Sequence, residues 1–321
     1  MILLGWGRRA LGVCALASAI AGCGGMPTMP RAQAPAVLAN GSWMAPGAGK
    51  GALVYAPGDE ASYVLTYPTG RLVGKIAMTG FGSCSDAGGN VFFGRAGEVV
   101  EFAHAGTTPI ATYAVPGSAY SCSVDPANGN LAVVVLCFTG CGNEVVVFSK
   151  RAAAISQSAY HVHSIGSLLF CAYDDKGNLF VDGFTGSKFG LARLGRGKKK
   201  FTAITLDRNI QFATQIQWDG KYLAVQTRIR PAIYQLQFQD SVARVAHIVR
   251  FDGIGQRAMQ SWIQKGKIAF PTSPSSGRRR AIEIRVWAYP KGGPAIDTID
   301  GFIGGGHQML DSVTFSVAPN R

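Results

Sequence analysis

The stretch CAYDDKGNLFVDG (171–183) decides the fold, because it is the clearest copy of a unit that recurs along the chain. An apolar segment containing Cys171 runs into a turn from Asp174 to Asn178, and a second apolar segment starts at Leu179. Asp side chains cap their own backbone, and Gly and Asn accept a positive φ, so this turn predicts a β-hairpin. Two other copies of the hairpin are CSVDPANGNLAVVV (122–135) and the shorter CSDAGGNVFFG (84–94).

The hairpin is part of a longer repeat, in which a third apolar segment ends in an aromatic or Leu residue before a turn. Successive end residues are 35, 46, 46, 44 and 51 positions apart. Periods of roughly 40 to 50 residues are typical of propellers and solenoids, and this spacing suits four short strands per unit. The six end residues are Tyr67, Phe102, Phe148, Leu194, Phe238 and Tyr289.

Six repeats predict an all-β fold, a β-propeller of six four-stranded blades. A fourth segment such as PIATYAV (109–115) completes each repeat, and a Gly-bearing loop such as Gly117-Ser118 is expected to lead into the next one. The first repeat, from Ala52, has only three strands. We therefore expect residues 307–319 to supply its innermost strand and close the ring, which leaves no open sheet edge. A seventh, degenerate blade is the alternative.

The order strand, Asp turn with Gly-Asn, strand, loop, strand, turn and strand resembles the blades of NHL-like β-propellers, whose repeats often read D-x-x-G-N before an apolar residue. The resemblance covers residues 50 to about 318 and is clearest in the second to fourth repeats. The fifth and sixth depart from it, because their turns read Trp218-Asp219-Gly220-Lys221 and Gln264-Lys265-Gly266-Lys267. The resemblance implies the fold and leaves the function open.

The N-terminus predicts an exported lipoprotein. Arg8 and Arg9 precede ALGVCALASAIAG (10–22), an apolar run too short for a stable membrane span. Ile20-Ala21-Gly22-Cys23 resembles the lipobox of bacterial lipoproteins, in which the Cys is acylated and becomes the first mature residue; a plain secretory signal with a chance Cys is the alternative. The predicted parts are a signal peptide (1–22), a lipidated Cys23 with a Pro-rich tether (23–51), and a single propeller domain (52–321).

Acylation of Cys23 predicts attachment to a membrane of the cell envelope. Gly24 is not an acidic retention residue, which favours the outer membrane in an organism with two. The mature chain has 29 basic and 18 acidic side chains, so we expect acidic partners. Export argues against nucleic acid and leaves anionic lipid, an acidic glycan or an envelope protein. The alternative interpretation of this charge is that the basic pI carries no binding specificity. We expect the protein to be a monomer.

The cysteines predict two kinds of contact. Cys137 and Cys141 flank a turn, so a local disulfide is expected there. Cys84, Cys122 and Cys171 occupy equivalent places in first strands, which line the central channel. Either they are small buried side chains or two of them form a bridge between blades. A zinc site built from the three lacks the usual C-x₂₋₄-C pairs.

No metal, cofactor or catalytic residue is predicted. His161 and His163 share one face of a strand, but no carboxylate or further His lies near them in sequence, so we expect a solvated strand end. The chain has no G-x-S-x-G elbow, and GFIGGGHQM (301–309) lacks the ending of a phosphate loop. The recurring aspartates are predicted to form turns: Asp86, Asp125 and Asp174. A metal-dependent propeller hydrolase or lactonase, the alternative function, would need unequal polar side chains at one mouth of the channel.

The loops between second and third strands predict a docking surface, because they share a propeller face with the loops between blades. Two contain Phe-Thr-Gly and the others are rich in Arg, whose guanidinium forks bind carboxylate or phosphate. The predicted ligand-binding residues are Phe138, Phe184, Arg228, Arg230, Arg278, Arg279 and Arg280. Lys198 to Lys200 lie on the opposite face. We therefore predict a binding or scaffolding module; solvated loops and a purely structural spacer are the alternatives.

Overall fold

The structure, a computed structural model, describes residues 41–136, 144–151, 154–228, 231–254, 260–272, 283–303 and 309–318. Within these ranges the regular secondary structure consists of 24 strands and one 3₁₀ turn, Ala48–Lys50. The predicted all-β fold is confirmed. In this part of the chain no helix is long and apolar enough to cross a membrane.

The strands form six blades in which successive strands pair in antiparallel fashion. The first blade contains β1 (Trp43–Met44), β2 (Leu53–Pro57), β3 (Ser62–Thr66) and β4 (Leu72–Ile76). The second contains β5 (Gly82–Ser85), β6 (Val91–Gly94), β7 (Ala96–Phe102) and the first half of β8 (Pro109–Val124). The third contains the second half of β8, then β9 (Leu131–Leu136), β10 (Glu144–Arg151) and β11 (Ala154–His161).

The fourth blade contains β12 (Ser167–Tyr173), β13 (Leu179–Thr185), β14 (Lys188–Leu194) and β15 (Thr202–Leu206). The fifth contains β16 (Ala213–Trp218), β17 (Leu223–Thr227), β18 (Ala232–Gln239) and β19 (Val242–Arg250). The sixth contains β20 (Trp262–Gln264), β21 (Lys267–Thr272), β22 (Glu283–Ala288) and β23 (Asp297–Ile299), and β24 (Thr314–Ser316) follows it. Six blades are therefore observed in the described chain.

The ring closes as predicted, because β24 is the innermost strand of the first blade. It pairs in antiparallel register with β2, with Leu53 opposite Ser316 and Tyr55 opposite Thr314. On its other side the backbone N–H of Val313 donates to the carbonyl of Gln260, 3.1 Å away, next to the sixth blade. Residues from both ends of the described chain thus share one sheet.

One predicted loop is wrong. Gly117-Ser118 was expected to form a loop between blades, but β8 runs through it without a break and belongs to two blades. Its first half pairs with β7 and its second half with β9. A Cβ on Gly117 would lie only 2.6 Å from the carbonyl oxygen of Leu136, so glycine allows the strand to pass this close to its partner.

The first blade also begins earlier than the predicted domain boundary at residue 52. Trp43 and Met44 form the edge strand β1, opposite Lys75 and Gly74 of β4. The backbone N–H of Ala45 continues this pairing by donating to the carbonyl of Val73 at 2.7 Å. The final residues assigned to the tether therefore form part of the first sheet.

Apolar clusters fill the spaces between successive blades, and among the described residues there is one cluster at each of the six junctions. Strand β9 contributes residues to two of these clusters. Its Leu131, Val133 and Val135 pack toward the second blade, whereas Ala132 and Val134 pack toward the fourth. Both faces are buried, so the strand reads as a continuous apolar run without alternation.

A disulfide joins the innermost strands of the second and third blades. It links Cys84 of β5 to Cys122 of β8, whose Cα atoms are 5.7 Å apart. Of the two readings left open for the three equivalent cysteines, the bridge between blades is therefore correct for this pair, while Cys171 is a free, buried thiol. Because a disulfide between residues 38 positions apart lowers the conformational entropy of the unfolded chain, it stabilises the fold by about 4 kcal/mol.

Candidate functional site

The central channel is lined by the innermost strand of each blade. These strands all start on the face where the loops between second and third strands lie, and they end on the face of the Asp turns. A cavity of about 180 Å³ lies at their N-terminal ends and one of about 350 Å³ at their C-terminal ends. We call these the N-terminal mouth and the C-terminal mouth. Phe170 and Gln260 border both cavities and so lie between the two mouths.

Glutamine side chains join neighbouring innermost strands. The Gln215 amide accepts from the Ser261 N–H at 2.6 Å and donates to the Ser261 carbonyl at 2.7 Å. Gln217 pairs in the same way with Ile263, at 2.7 and 2.8 Å. Gln260 pairs similarly with the backbone of Ser83, at 3.3 and 3.1 Å. These amides replace the backbone hydrogen bonds that splayed strands cannot form, so they hold the ring together.

The N-terminal mouth combines aromatic, cationic and acidic groups. Phe81, which is 49% exposed, and the half-buried Tyr120 lie in its wall, and the Tyr120 ring packs on Phe170 with centroids 5.4 Å apart. Arg228 and Asp311 complete the charged part of the wall. A hydroxylated or anionic ligand would find both an apolar surface and a guanidinium donor here.

The charged groups in this mouth and nearby shift the pKa values of Tyr120 and Asp311. Burial raises the pKa of the Tyr120 hydroxyl, and the carboxylate of Asp182 raises it further, whereas the guanidinium of Arg228 lowers it. Burial, followed by repulsion from Asp59, raises the pKa of Asp311 to about 6. Asp311 therefore gains a proton in mildly acidic solution, and the mouth then becomes more positive.

One polar atom at the same mouth is left without a partner. The Oγ1 of Thr214 is buried and forms no hydrogen bond with any described residue. Thr214 lies in the wall of the cavity, near the start of β16. Because a buried hydroxyl without a partner costs free energy, a ligand or a water molecule that bonds to it would be stabilising.

Asp182 positions the aromatic residue between the two mouths. It is fully buried in β13, and its Oδ1 accepts the backbone N–H of Phe170 at 2.7 Å, within a bulge of β12. Its Oδ2 has no hydrogen-bond partner among the described residues. Burial raises the pKa of Asp182 to about 8, so the carboxyl is largely protonated at neutral pH.

The predicted docking residues are only partly within the described chain. Arg228 is exposed and lies at the N-terminal mouth. Phe184 is half-buried: it stacks edge-on against Phe189 with ring centroids 6.1 Å apart and packs on the core between the fourth and fifth blades. The other predicted site residues lie outside the described residues, namely Cys23, Cys137, Phe138, Cys141, Arg230, Arg278, Arg279 and Arg280.

The recurring aspartates are confirmed as turn formers, and they lie on the face of the C-terminal mouth. Asp86 and Asp125 are in the wall of that cavity, together with Tyr173, Trp218 and Trp262. Asp174 caps its own turn through the backbone N–H groups of Lys176 and Asn178, at 2.9 and 2.8 Å. The exposed Lys198 to Lys200 follow β14, on a turn of the same face.

A third cavity, of about 720 Å³, lies between the fifth and sixth blades. Its polar centre is already paired: Asp219 Oδ2 accepts hydrogen bonds from the Tyr289 hydroxyl at 2.6 Å and from the Gln235 amide at 2.7 Å. His247 stacks edge-on against Tyr222 at the side of this cavity. These contacts stabilise the junction between the two blades.

The described residues contain no group of three or more His, Cys, Asp or Glu side chains that could hold a metal ion. His161 and His163 stack with centroids 6.3 Å apart, and both are exposed, as expected for a solvated strand end.

Several residues at the N-terminal mouth were missed by sequence reasoning. Phe81, Tyr120, Thr214 and Asp311 come from four different blades and meet only because the ring closes. The available signal was their shared position in the repeats, since each lies next to the start of an innermost strand. Without knowledge of how the strands turn, that position does not say which side chains face the axis.

The comparisons with known proteins agree with the propeller fold. No protein-family model matches the sequence, and no curated protein matches it. A protein of unknown function from Bacteroides caccae has a TM-score of 0.59 and 13% identity over 83% of this chain and 98% of its own. A chain of a nidogen/laminin complex has a TM-score of 0.63 and 8% identity over 84% of this chain and 100% of its own.

A third similar structure is the β-propeller domain of Cps50 (Swd1) from Myceliophteria thermophila, with a TM-score of 0.52 and 10% identity, covering 82% of this chain and 87% of that one. Identities this low establish the fold alone. The chain is therefore a β-propeller.

The raised pKa of Asp182 predicts how stability depends on pH. The folded state binds a proton up to about pH 8, whereas the ordinary pKa of an Asp carboxyl is 3.8, so the contribution of Asp182 to the free energy of unfolding falls as pH rises between these values. Asp182→Asn keeps the acceptor for Phe170 and removes the titration. Urea unfolding from pH 5 to pH 9 should show wild type losing stability relative to the variant up to about pH 8. Parallel profiles would contradict this assignment.

Proposed function

We propose that the chain is a lipid-anchored envelope propeller, of the NHL-like type, that binds an acidic glycan or an acidic protein segment at its N-terminal mouth. The observation that supports this most is the position of Arg228. It lies in the wall of a cavity at the end of the channel, where Phe81 and Tyr120 offer apolar surface beside its charge. Glycan rings and carboxylates need this combination of an apolar surface and a guanidinium donor.

Arg228 forms no ion pair or hydrogen bond through its side chain with any described residue, so its donors are available to a ligand. Asp311 shares the mouth, and its raised pKa of about 6 means that it opposes an anionic ligand less strongly in mildly acidic solution. We propose that Arg230, Arg278, Arg279 and Arg280 extend the basic surface, since they belong to the same class of loop.

The excess of 29 basic over 18 acidic side chains in the predicted mature chain adds long-range attraction for an acidic partner. The solved nidogen/laminin complex is an example of a similar fold within a protein assembly. Phe184 contributes less than the sequence suggested, because its ring is half-buried. The proposed docking surface is therefore centred on Arg228 and the channel, with the loops around it.

We also propose that Cys23 attaches the protein to the cell envelope, with the outer membrane favoured where there are two. The lipobox-like residues 20–23 and the Pro-rich residues up to 40 support this part of the proposal. Three acyl chains anchor a protein firmly, since each buried CH₂ contributes about 0.8 kcal/mol. The tether would keep the propeller away from the headgroups with its mouths accessible.

The glycan proposal is tested with Arg228→Gln and, as a matched control, Lys198→Gln. Each variant removes one positive charge from an exposed residue, but the two residues lie on opposite faces. Calorimetric titration with a heparin-derived hexasaccharide should show roughly tenfold weaker binding for Arg228→Gln, because a charge-assisted hydrogen bond is lost. Wild-type affinity should fall with added salt.

Lys198→Gln should bind nearly as wild type does. If both variants weaken binding equally, the protein binds acidic glycans only through its net charge and the proposed site is wrong. If wild type does not bind the hexasaccharide or an acidic peptide of similar charge, the proposed class of ligand is wrong.

The anchoring proposal is tested with Cys23→Ser in a bacterium that processes lipoproteins. The wild-type protein should sediment with membranes and have an acylated first residue at position 23, measured by mass spectrometry of the mature protein. The variant should appear in the soluble fraction, because it has no thiol to acylate. Membrane association of the variant, or a mature N-terminus elsewhere, would contradict the proposal.

A further inference from the structure

The C-terminal mouth differs from the N-terminal mouth in its charge. Its cavity of about 350 Å³ is bordered by Asp86 and Asp125, and none of the described residues in its wall is Lys or Arg. The aromatic residues Tyr173, Trp218 and Trp262 form other parts of the wall. In a strongly basic protein, a cavity with acidic and aromatic walls favours a cationic ligand over an anionic one.

The turn aspartates on this face are not equivalent, and the sequence shows why. In the second and fourth blades an Asn follows the Asp by four positions, as in Asp86 with Asn90 and Asp174 with Asn178. The Asn side chain then donates to the Asp Oδ2, at 2.9 Å in the first case and 2.7 Å in the second. The backbone N–H of the same Asn donates to Oδ1 at 2.8 Å in both turns. Both oxygens of these two carboxylates are thus occupied within their own turns.

The turn of the third blade is one residue longer. Asn130 follows Asp125 by five positions, and its backbone N–H donates to the side chain of Asn128 instead, at 2.9 Å. Asp125 Oδ1 accepts the backbone N–H of Ala127 at 2.9 Å. No described residue donates a hydrogen bond to Asp125 Oδ2. The extra residue therefore leaves one carboxylate oxygen without the partner that its counterparts have.

This carboxylate is also largely removed from water. Asp125 is only 2% exposed, and no described residue forms an ion pair with it. Its Oδ2 lies close to Gly177, where a Cβ would be 3.1 Å away. The Cδ of the exposed Arg196 also lies near Gly177, but Arg196 forms no ion pair with Asp125. A buried carboxylate with an open oxygen in the wall of a cavity is a strong acceptor for a cationic donor.

A second polar atom among the residues of this wall has no partner. The indole Nε1–H of Trp218 is buried and forms no hydrogen bond with any described residue. It is a donor only, so it requires an oxygen acceptor. By contrast, the side-chain amides of Gln215 and Gln217 in the same wall are already bonded to the backbone of the sixth blade. Among the described residues of this wall, Asp125 thus supplies an open acceptor and Trp218 an open donor.

We infer that the C-terminal mouth binds a small hydroxylated amine, such as an amino sugar, with its ammonium group on Asp125 Oδ2, an oxygen on the Trp218 indole N–H and its apolar face on the aromatic wall. The cavity volume lies at the lower end of the range for small-molecule sites. A metal ion would need more ligands than the described wall offers. This site is independent of the glycan site proposed at the N-terminal mouth.

The test is calorimetric titration of the folded protein with glucosamine hydrochloride, below the pKa of the sugar's amine. Glucose is the matched neutral control, because it has a hydroxyl where glucosamine has the ammonium group. Wild type should bind glucosamine and bind glucose at least about tenfold more weakly, since glucose lacks the charge-assisted bond. Absence of glucosamine binding, or equal binding of the two sugars, would overturn the inference.

Two variants and a control locate the binding. Asp125→Asn keeps the acceptor for Ala127 and replaces Oδ2 by an NH₂ group, so glucosamine binding should weaken about tenfold or more. Deletion of Pro126 restores the four-residue spacing to Asn130, and the Asn side chain should then occupy the open oxygen with the same loss. Asp174→Asn, outside the cavity wall, should bind as wild type does.

Thermal unfolding establishes that each variant is folded before titration. Because the two changes at the Asp125 turn act by different routes, one unfolded variant still leaves the other as a test. Wild-type affinity in a folded Asp125→Asn or Pro126-deletion protein would overturn the inference. Equal loss in Asp174→Asn would also overturn it, because binding would then depend on the turns in general.

Discussion

The antiparallel pairing of β24 with β2 is the interaction on which the rest of the structure depends. It brings Ser316 and Leu53 together across most of the chain and turns a row of blades into a ring. Contacts this distant in sequence have a large loop-closure cost, which the apolar clusters between blades offset. Each of these clusters is formed by two adjacent blades. A blade at the end of an open row would therefore leave one apolar face without a partner.

Closure also explains the unusual chemistry of the innermost strands. These strands diverge around the axis, and apart from the backbone bridge between Gln260 and Ser312 the described ones are joined mainly by side chains. The pairs include Gln215 with Ser261, Gln217 with Ile263, and the Cys84–Cys122 disulfide. Most polar groups near the axis are therefore occupied by the fold itself. Two of the described groups that remain open, Arg228 at one mouth and Asp125 at the other, are central to the binding that we propose.

Much of the fold could be predicted because its signals are local. The Asp174 to Asn178 turn specifies its hairpin through side-chain capping, and the six residues that end the third segment of each repeat specify the number of blades. The missing strand of the first blade predicted closure. The uninterrupted strand β8 could not be predicted, because Gly117 is equally compatible with a loop and with a close backbone approach. The choice between Cys122 and Cys171 as the partner of Cys84 likewise depends on strand splay, which no local pattern encodes.

The site was less predictable than the fold for the same reason. Arg228 was expected on the docking face and lies at the N-terminal mouth, whereas Tyr120 and Asp311 reach it from blades far apart in sequence. At the other mouth the longer spacing between Asp125 and Asn130 was visible in the sequence. Its consequence appears only in the structure, where the side chain of Asn130 does not donate to Asp125 Oδ2 as its counterparts do in the other two turns.

The most direct test of the account is amide hydrogen exchange of β24 and β2 compared with β12, in native buffer. If ring closure holds the structure together, the paired amides of β24 and β2 should exchange as slowly as those of β12, through unfolding of the whole domain. Exchange of β24 and β2 that is much faster than that of β12 would show that the first blade opens by itself, and would contradict the central role of closure.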